Sequence, residues 1–484
     1  MLGRQERWQE DLFVVAPLRE LIPDDHILKR VDRVLALAWL HDEVRDCYHQ
    51  GLGRRSIDPE AAVRLMLAGL FQGITSDRKL MREAQVNLAI RWFAGCRLHE
   101  PLPDHSSLTR IRQRWGAERF KRLFRKSVEA CVQARLVNAE TVHVDATLIR
   151  ADVSWESLTE RHVERVLQEN PPGDDDQPAP LSNGAKSRRG RKSTKPPKAK
   201  KYSPTDPDAT LTTSCKQYRM EPSYKQHTAV DDRAGVIVDV VVTTGEASEG
   251  RQLAQQIKRI EAHTGEKIQT LTADGANGHG RNYALLETRG TQAVIPPQTT
   301  ARRSHRIPAR RFKYDGRRRL VRCPRGQRLR RSTRNKQGWI YRARTRDCRV
   351  CPLREACIAL SASARTIVIG DGHEALLRAR RRHGRGDETA RALYQRHRWR
   401  TEGVHGEAKT QHGLRRAARR RLWNVAIQVY LTAAVMNLKR LAAFLRALCG
   451  LRLTRPACSG PLWSPCKHVR ATSLWFHDRC QIAA

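Results

Sequence analysis

The sequence predicts an α/β protein, a mixed sheet with flanking helices preceded by an all-α N-terminal segment. Three observations carry this. Apolar residues recur at helical spacing from about residue 10 to 135, and the period then switches to two at Thr141. From there strand-like and helix-like runs follow one another to about residue 298.

Leu28, Val31, Val34, Leu35 and Leu37 share one helical face, as do Ala62, Leu65, Met66, Leu70 and Phe71 behind Asp58, an N-cap with Pro59 at the first helical position. A further helix opens at residues 103–107 with Ser106 as N-cap. It continues through Leu108, Ile111 and Trp115, with Arg110, Arg112 and Arg114 exposed around its other side. Residues 141–148 alternate, with Val142, Val144, Ala146 and Leu148 inward and Asp145 on the opposite face. Residues 154–168 read as helix. Residues 171–180 are acidic and Pro-rich, and Lys186 to Lys201 carries nine Lys/Arg and no acid. This composition cannot pack, and a disordered loop is expected over about 169–207.

Strands follow at 224–230 and 236–242 around the turn Asp231-Asp232-Arg233-Ala234-Gly235, then a helix at 250–263 and a strand at 268–273 ending on Asp274. A helix of about ten residues leads to a strand at 292–296. Strand, long loop, hairpin, helix, strand, helix, strand is a ribonuclease-H-like arrangement. Beyond it the chain is Arg-rich and irregular to about 385, and helical from 388 to 448. The expected organisation is a helical N-terminal DNA-binding domain (1–135), a first core part (136–298), a basic cysteine-bearing insertion (299–385), a closing helical part (386–448) and an unassigned tail (449–484).

Lys and Arg number 91 against 50 Asp and Glu, a formal charge of +41. Such a charge repels itself unless a polyanion neutralises part of it, and Arg-rich stretches suit phosphate. Residues 301–332 hold fourteen Lys/Arg against the single acid Asp315. Arg415, Arg416, Arg419, Arg420 and Arg421 form a second patch suited to DNA backbone. The first residues lack a signal peptide's apolar core, and the apolar run 425–438 is interrupted by Gln428 and Asn437. A buried helix is expected there, with no membrane span, and the protein is expected in the cytoplasm.

Cutting or joining a phosphodiester needs an activated oxygen nucleophile and stabilisation of the departing oxygen. Carboxylates holding two divalent ions supply both. Asp145 lies on the polar side of the first strand, and Asp274 at a strand's C-terminal end with glycines after it. Arg398, Glu402 and Lys409 share one helical face. The run from Tyr394 to Lys409 resembles the Tyr-Arg-Glu-Lys signature of bacterial insertion-sequence DDE transposases, with one extra residue between Tyr394 and Arg398. His143-Val144-Asp145-Ala146-Thr147 is similar to that family's first-Asp strand, and Thr272-Ala273-Asp274-Gly275 to its second. Tyr224 to Asp231 is similar to the strand entering its hairpin, and Ser56 to Pro59, Gly73 to Arg78 and Pro103 to Ser106 are similar to its helical first domain. Where the family commonly has a Tyr after its second Asp this chain has Asn277 and His279. Where the family's hairpin is followed by Asp it offers Glu246 or Glu249.

The resemblance implies cleavage at insertion-sequence ends and strand transfer into target DNA. Asp145, Asp274 and Glu402 are the expected catalytic residues and ligands of two Mg²⁺ ions (or Mn²⁺), Glu407 being a second candidate for the third carboxylate. Tyr394, Arg398, Lys409, Arg415 and Arg416 would bind phosphate. Double-stranded DNA is the implied partner, with at least a homodimer on it. The rival readings are a hydrolytic nuclease on the same fold and a non-catalytic DNA binder of transposase descent. Cys323, Cys348, Cys351 and Cys357 carry one Cys-x-x-Cys, and structural Zn²⁺ and reduced thiols are the two alternatives for them.

Overall fold

Six helices come first: α1 (Ile27–Asp32), α2 (Leu40–Val44), α3 (Pro59–Phe71), α4 (Asp77–Val86), α5 (Leu88–Ala94) and α6 (His105–Gln133). The computed structural model describes residues 17–49, 56–154, 159–161, 200–213, 220–298, 306–335 and 337–453. The chain divides into two compact units, Met1–Ala443 and Phe444–Ala484, and all three sheets belong to the first. Asp58 caps α3 as its place before Pro59 requires, its carboxylate accepting from Ala61 N at 2.9 Å. The cap of α6 is Asp104 rather than Ser106: Asp104 Oδ1 accepts from Ser106 N at 2.8 Å, because a carboxylate is the stronger acceptor. Helix α1 stops at Asp32, so Val34, Leu35 and Leu37 pack from the segment after it.

The central sheet contains β1 (Thr141–Arg150), β4 (Thr210–Thr212), β5 (Glu221–Asp231), β6 (Ile237–Thr244), β7 (Thr270–Ala273) and β8 (Gln292–Val294). Strand β5 pairs antiparallel with β1, β4 and β6, while β7 pairs parallel with both β1 and β8. Counting β1, β5, β6, β7 and β8 as first to fifth gives the order 3-2-1-4-5, an antiparallel meander extended by two parallel strands. Helices α7 (Glu249–Thr264) and α8 (Gly280–Arg289) are the crossovers that parallel pairing demands. Gly235, with φ +68°, supplies the left-handed residue of the β5–β6 turn.

Residues 159–161 are not helical: β2 (Thr159–Arg161) pairs with β3 (Lys200–Tyr202). Residues 200–207 are likewise ordered, and buried Asp206 accepts from Tyr224 Oη. The rest of the expected helix and loop, and the expected tail beyond 453, lie outside the described residues.

The Arg-rich stretch is also regular. Strands β9 (Lys313–Asp315), β10 (Leu320–Arg322), β11 (Arg328–Asn335), β12 (Gly338–Arg342) and β13 (Thr366–Gly370) form an antiparallel sheet in the order β13-β12-β11-β10-β9. Its inner face buries Val321, Leu329, Tyr341, Ile367 and Ile369. Short helices α9 (Thr345–Arg349) and α10 (Arg354–Cys357) sit between its last strands. Arginine hid the pattern: its outer positions alternate with few apolar inner ones over very short strands.

Helices α11 (His373–Gly384), α12 (Glu388–Thr410) and α13 (Leu422–Leu453) complete the described chain. The helical region expected from 388 to 448 is thus broken by residues 411–421. The two polar interruptions of α13 are both satisfied. Asn437 exchanges a peptide-like pair of 2.9 Å bonds with Ile237 N and O on the edge of β6, and Gln428 Oε1 accepts from Ala418 N at 2.9 Å. No described helix is long and apolar enough to cross a membrane.

Arg112 is 5% exposed rather than lying on the open side of α6. It donates to both oxygens of Asp77 at 2.7 and 2.8 Å, and Arg419 from the 411–421 strip adds a 2.7 Å contact. Burial pushes the Asp77 carboxyl up, but the two guanidiniums outweigh it and hold it below the usual range. This buried triad ties α4 and α6 to the strip after α12. Asp77→Asn leaves two arginines uncompensated and is expected to cost about 3–5 kcal/mol in denaturant melts. A loss below about 1 kcal/mol would show the triad to be solvent-screened.

Candidate active site

The site begins with strand register. Strands β1 and β7 pair at Thr141↔Thr270, Val142↔Leu271, His143↔Thr272 and Val144↔Ala273. The next residues are Asp145 and Asp274, so the two carboxylates leave neighbouring parallel strands at one level. Two residues earlier on the same face stand His143 and Thr272. The face is therefore two polar rungs, His143–Thr272 below and Asp145–Asp274 above.

This face is covered. Helix α12 lies on it and buries His397, Thr401, Val404, His405 and Ala408. His397 Nδ1 is 3.0 Å from Thr272 Oγ1, and His405 Nε2 is 3.2 Å from Thr228 Oγ1, the register partner of Asp145. His405 Nδ1 is 3.6 Å from Asp145 Oδ2, and Lys409 Nζ donates to Thr147 Oγ1 at 2.6 Å. Burial drives His405 down to about 3 and His397 to about 4, so both rings are neutral at neutral pH.

Asp145 is pushed up to about 7, by burial first and then by the charges of Asp274 and Glu249, while the Ala146 amide and Thr401 hydroxyl pull the other way. Glu249, the first residue of α7, is itself raised by burial and by Asp274, against Lys225 at 3.1 Å. Asp274 Oδ1 accepts from Ala276 N and from Asn277 Nδ2, both at 3.1 Å, and the Oδ1 of Asn277 is buried without a hydrogen-bond partner. Mutually repelling carboxylates beside an orphaned acceptor are short of a cation. Their hard oxygen donors suit Mg²⁺ or Mn²⁺, so the residues present fit such an ion. No group of three or more His, Cys, Asp or Glu among the described residues is arranged to hold a metal.

The other expected residues fall in different places. Glu402 is 66% exposed and pairs with Arg398, 68% exposed, at 3.4 Å, so the third carboxylate stands on the rim and not against the two aspartates. Tyr394 stacks on His397, with centroids 5.7 Å apart, and its hydroxyl is raised by burial and by the charges of Asp274 and Asp145. Arg415 is close enough to lower Lys409, after the larger effect of burial. Arg416 pairs with Asp152 at 3.2 Å. Ala417 N donates to Arg150 O at 2.7 Å, which sets this basic strip beside the end of β1. Glu407 turns away from the site: burial pushes it up, but His412, Arg440 and Lys439 hold it far below the usual range. It joins α12 to α13 through Lys439 at 2.7 Å and Arg440 at 3.0 Å.

Sequence reasoning left Glu249 as one of two acids after the hairpin, and did not pick out His143, Thr272, His397, Thr401 and His405 as site residues. The signal for the last three was their spacing of four, His397-x3-Thr401-x3-His405, and for the first pair their place two residues before each aspartate. The four expected thiols, Cys323, Cys348, Cys351 and Cys357, all line one cavity of about 450 Å³ in the second sheet's loops.

A 3-2-1-4-5 mixed sheet with one aspartate within its first strand and its neighbour just past the end of the fourth defines a ribonuclease-H-like arrangement. Two family models match the sequence, Transposase domain (DUF772) over residues 16–114 and Transposase DDE domain over residues 322–442. The sequence thus carries transposase-type segments before and after the central sheet's strands. The second match contains Glu402 and all four clustered cysteines, whereas Asp145 and Asp274 lie between the two matches. Among solved structures the chain is similar to the piggyBac transposase synaptic complex with hairpin DNA, at 9% identity and TM-score 0.30, covering 91% of this chain and 82% of that one. It is similar also to the Mos1 transposase paired-end complex with left transposon end, at 10% identity and TM-score 0.16, covering 53% of this chain and 65% of that one. Both scores are low, and the fold assignment rests on the strand order. No curated protein matches the sequence.

The two faces of α12 make opposite predictions for stability. Glu402→Gln changes an exposed pair and is expected to move stability by less than about 0.5 kcal/mol. His405→Ala removes a buried ring and its bond to Thr228, and is expected to cost about 1–3 kcal/mol. Equal effects in urea melts would contradict the orientation of the helix.

Proposed function

We propose that this transposase cuts DNA at the ends of an insertion sequence and joins the freed 3′ ends to target DNA, with Asp145, Asp274 and Glu402 as its metal-holding carboxylates. The observation that carries the reading is the pairing of β1 with β7, which sets Asp145 and Asp274 side by side with their charges unneutralised. Two Mg²⁺ or Mn²⁺ ions held there would supply an activated water or 3′-hydroxyl and would stabilise the departing oxygen. The protein's own part is positional. Lys409 and Arg415 beside the aspartates, and Arg398, Arg416 and Tyr394 around them, hold the scissile strand's phosphates. Glu402, on the helix that covers the aspartates' face, would be the third carboxylate to hold the ions. The helices of 1–135 recognise the ends, the basic sheet of 299–385 tracks backbone, and at least two copies meet on paired ends in the bacterial cytoplasm, at the nucleoid.

The test is Mg²⁺-dependent cleavage of DNA carrying the flanking terminal repeats, with target plasmid present. Asp274→Ala is expected to lose at least about 10³-fold in cleavage while keeping wild-type DNA affinity. Joined products distinguish a transposase from a nuclease on the same fold. No cleavage by a well-folded wild type with either ion would leave a non-catalytic DNA binder as the reading.

For the cysteines we infer a structural Zn²⁺, supported by the convergence of four thiols on one cavity in a small sheet with few core residues. Elemental analysis of protein purified without chelator is expected to find about one zinc per chain. A zinc-free protein melting at the same temperature would leave the thiols simply reduced.

A further inference from the structure

Beneath the two aspartates runs a buried line of hydrogen bonds that the chemistry above does not use. Asp232 Oδ1 lies 3.0 Å from His143 Nε2, His143 Nδ1 lies 2.6 Å from Thr272 Oγ1, and Thr272 Oγ1 lies 3.0 Å from His397 Nδ1. His143 and Thr272 are fully buried and His397 is 2% exposed. Three elements meet in this line: β1, β7 and α12, which carry Asp145, Asp274 and Glu402. Its outer end is fixed as well, since Arg396 at 2.7 Å and Arg400 at 3.6 Å hold Asp232 from α12 itself.

One donor can be assigned. An ionised carboxylate only accepts, so His143 Nε2–H donates to Asp232. The Thr272 hydroxyl lies between the two Nδ1 atoms and can donate to one while its oxygen accepts from the other. Every bond can then be made with one proton. A single hydroxyl joins the two imidazoles, and no other side chain of its size both donates and accepts at that point except serine. An apolar contact would tolerate sliding of the helix by tenths of an ångström, whereas a 2.6–3.0 Å chain through one oxygen does not.

We propose that His143, Thr272 and His397 are positioning residues for transposition, a hydroxyl-bridged clamp that fixes the separation of the three carboxylate-bearing elements and so sets metal affinity. The proposal rests on Asp145 and Asp274 being metal ligands. Groups that orient ligands without touching the metal commonly contribute 10–100-fold in affinity or rate.

The experiment compares full-length wild type, Thr272→Val, Thr272→Ser and Asp274→Ala. Mn²⁺ binding is read by electron paramagnetic resonance without DNA, and cleavage is read across a Mg²⁺ titration with terminal-repeat DNA. Thr272→Val, of the same shape without the hydroxyl, is expected to bind Mn²⁺ about tenfold more weakly and to need about tenfold more Mg²⁺ for half-maximal cleavage, with unchanged DNA affinity. Thr272→Ser is expected to restore both readings to within about threefold, which a merely structural defect would not do. Wild-type metal affinity in Thr272→Val, or equal weakening in Thr272→Ser, overturns the clamp. If wild type binds Mn²⁺ no better than Asp274→Ala, it is the metal-site reading that fails. Should Thr272→Val not melt cooperatively, His397→Asn, whose side-chain amide takes the place of Nδ1, is compared with His397→Leu on the same two readings and the same criteria.

Discussion

Four residue pairs between β1 and β7 decide where everything else in this protein has to go. Parallel pairing cannot be made by a tight turn, so the chain between the two strands supplies the β5–β6 hairpin and then α7 as crossover. A slip of one residue would flip the polar face of β7, sending Thr272 and Asp274 to the side that α12 does not cover. Val142 and Val144, buried at 0% and 4%, hold the register from the opposite face, where a slip would expose them. The chemistry of one side of the sheet is thus fixed by the hydrophobic effect on the other.

The covering of the polar face follows a different rule. A helix normally docks on a sheet through a stripe of aliphatic side chains. Here α12 presents His397, Thr401 and His405, with only Val404 and Ala408 as apolar companions. Each polar group finds a partner in the face or in its own helix, so burial leaves little desolvation uncompensated. The attachment is reinforced from outside. Glu407 binds Lys439 and Arg440 of α13, His412 donates to Leu70 O at 2.8 Å, and Arg419 reaches Asp77. The strip between α12 and α13 therefore touches the N-terminal helices, the end of β1 and its own neighbouring helices within about ten residues of chain.

Legibility from sequence tracked how local each cause was. Asp58 before Pro59, the alternation at Thr141 to Leu148, the Gly235 turn and the strand ending at Asp274 are decided by residues within a few positions of one another, and all four were readable. Arg112 was not, because nothing near it in sequence reveals that Asp77 waits across α4. The second sheet was hidden because three to eight residues of Arg-rich chain offer too few apolar positions to show a period. The inner face of α12 was not legible, for a physical reason. A stripe of His, Thr and His looks solvated, and the stripe of Arg398, Glu402 and Lys409 looks purposeful. The structure buries the first and leaves most of the second on the rim.

That polar inner face has a consequence for the protein while it is being made. The ribosome completes β1 and β7 well before it reaches α12, so for the whole of that interval the sheet's polar side has no cover. Were the face aliphatic, the growing chain would carry a sticky patch throughout this time. Lined with His143, Asp145, Thr147, Thr228, Thr272 and Asp274, it stays compatible with water. The same delay keeps both aspartates without the helix that bears Glu402, so a chain released early lacks the cover that the finished fold lays over them.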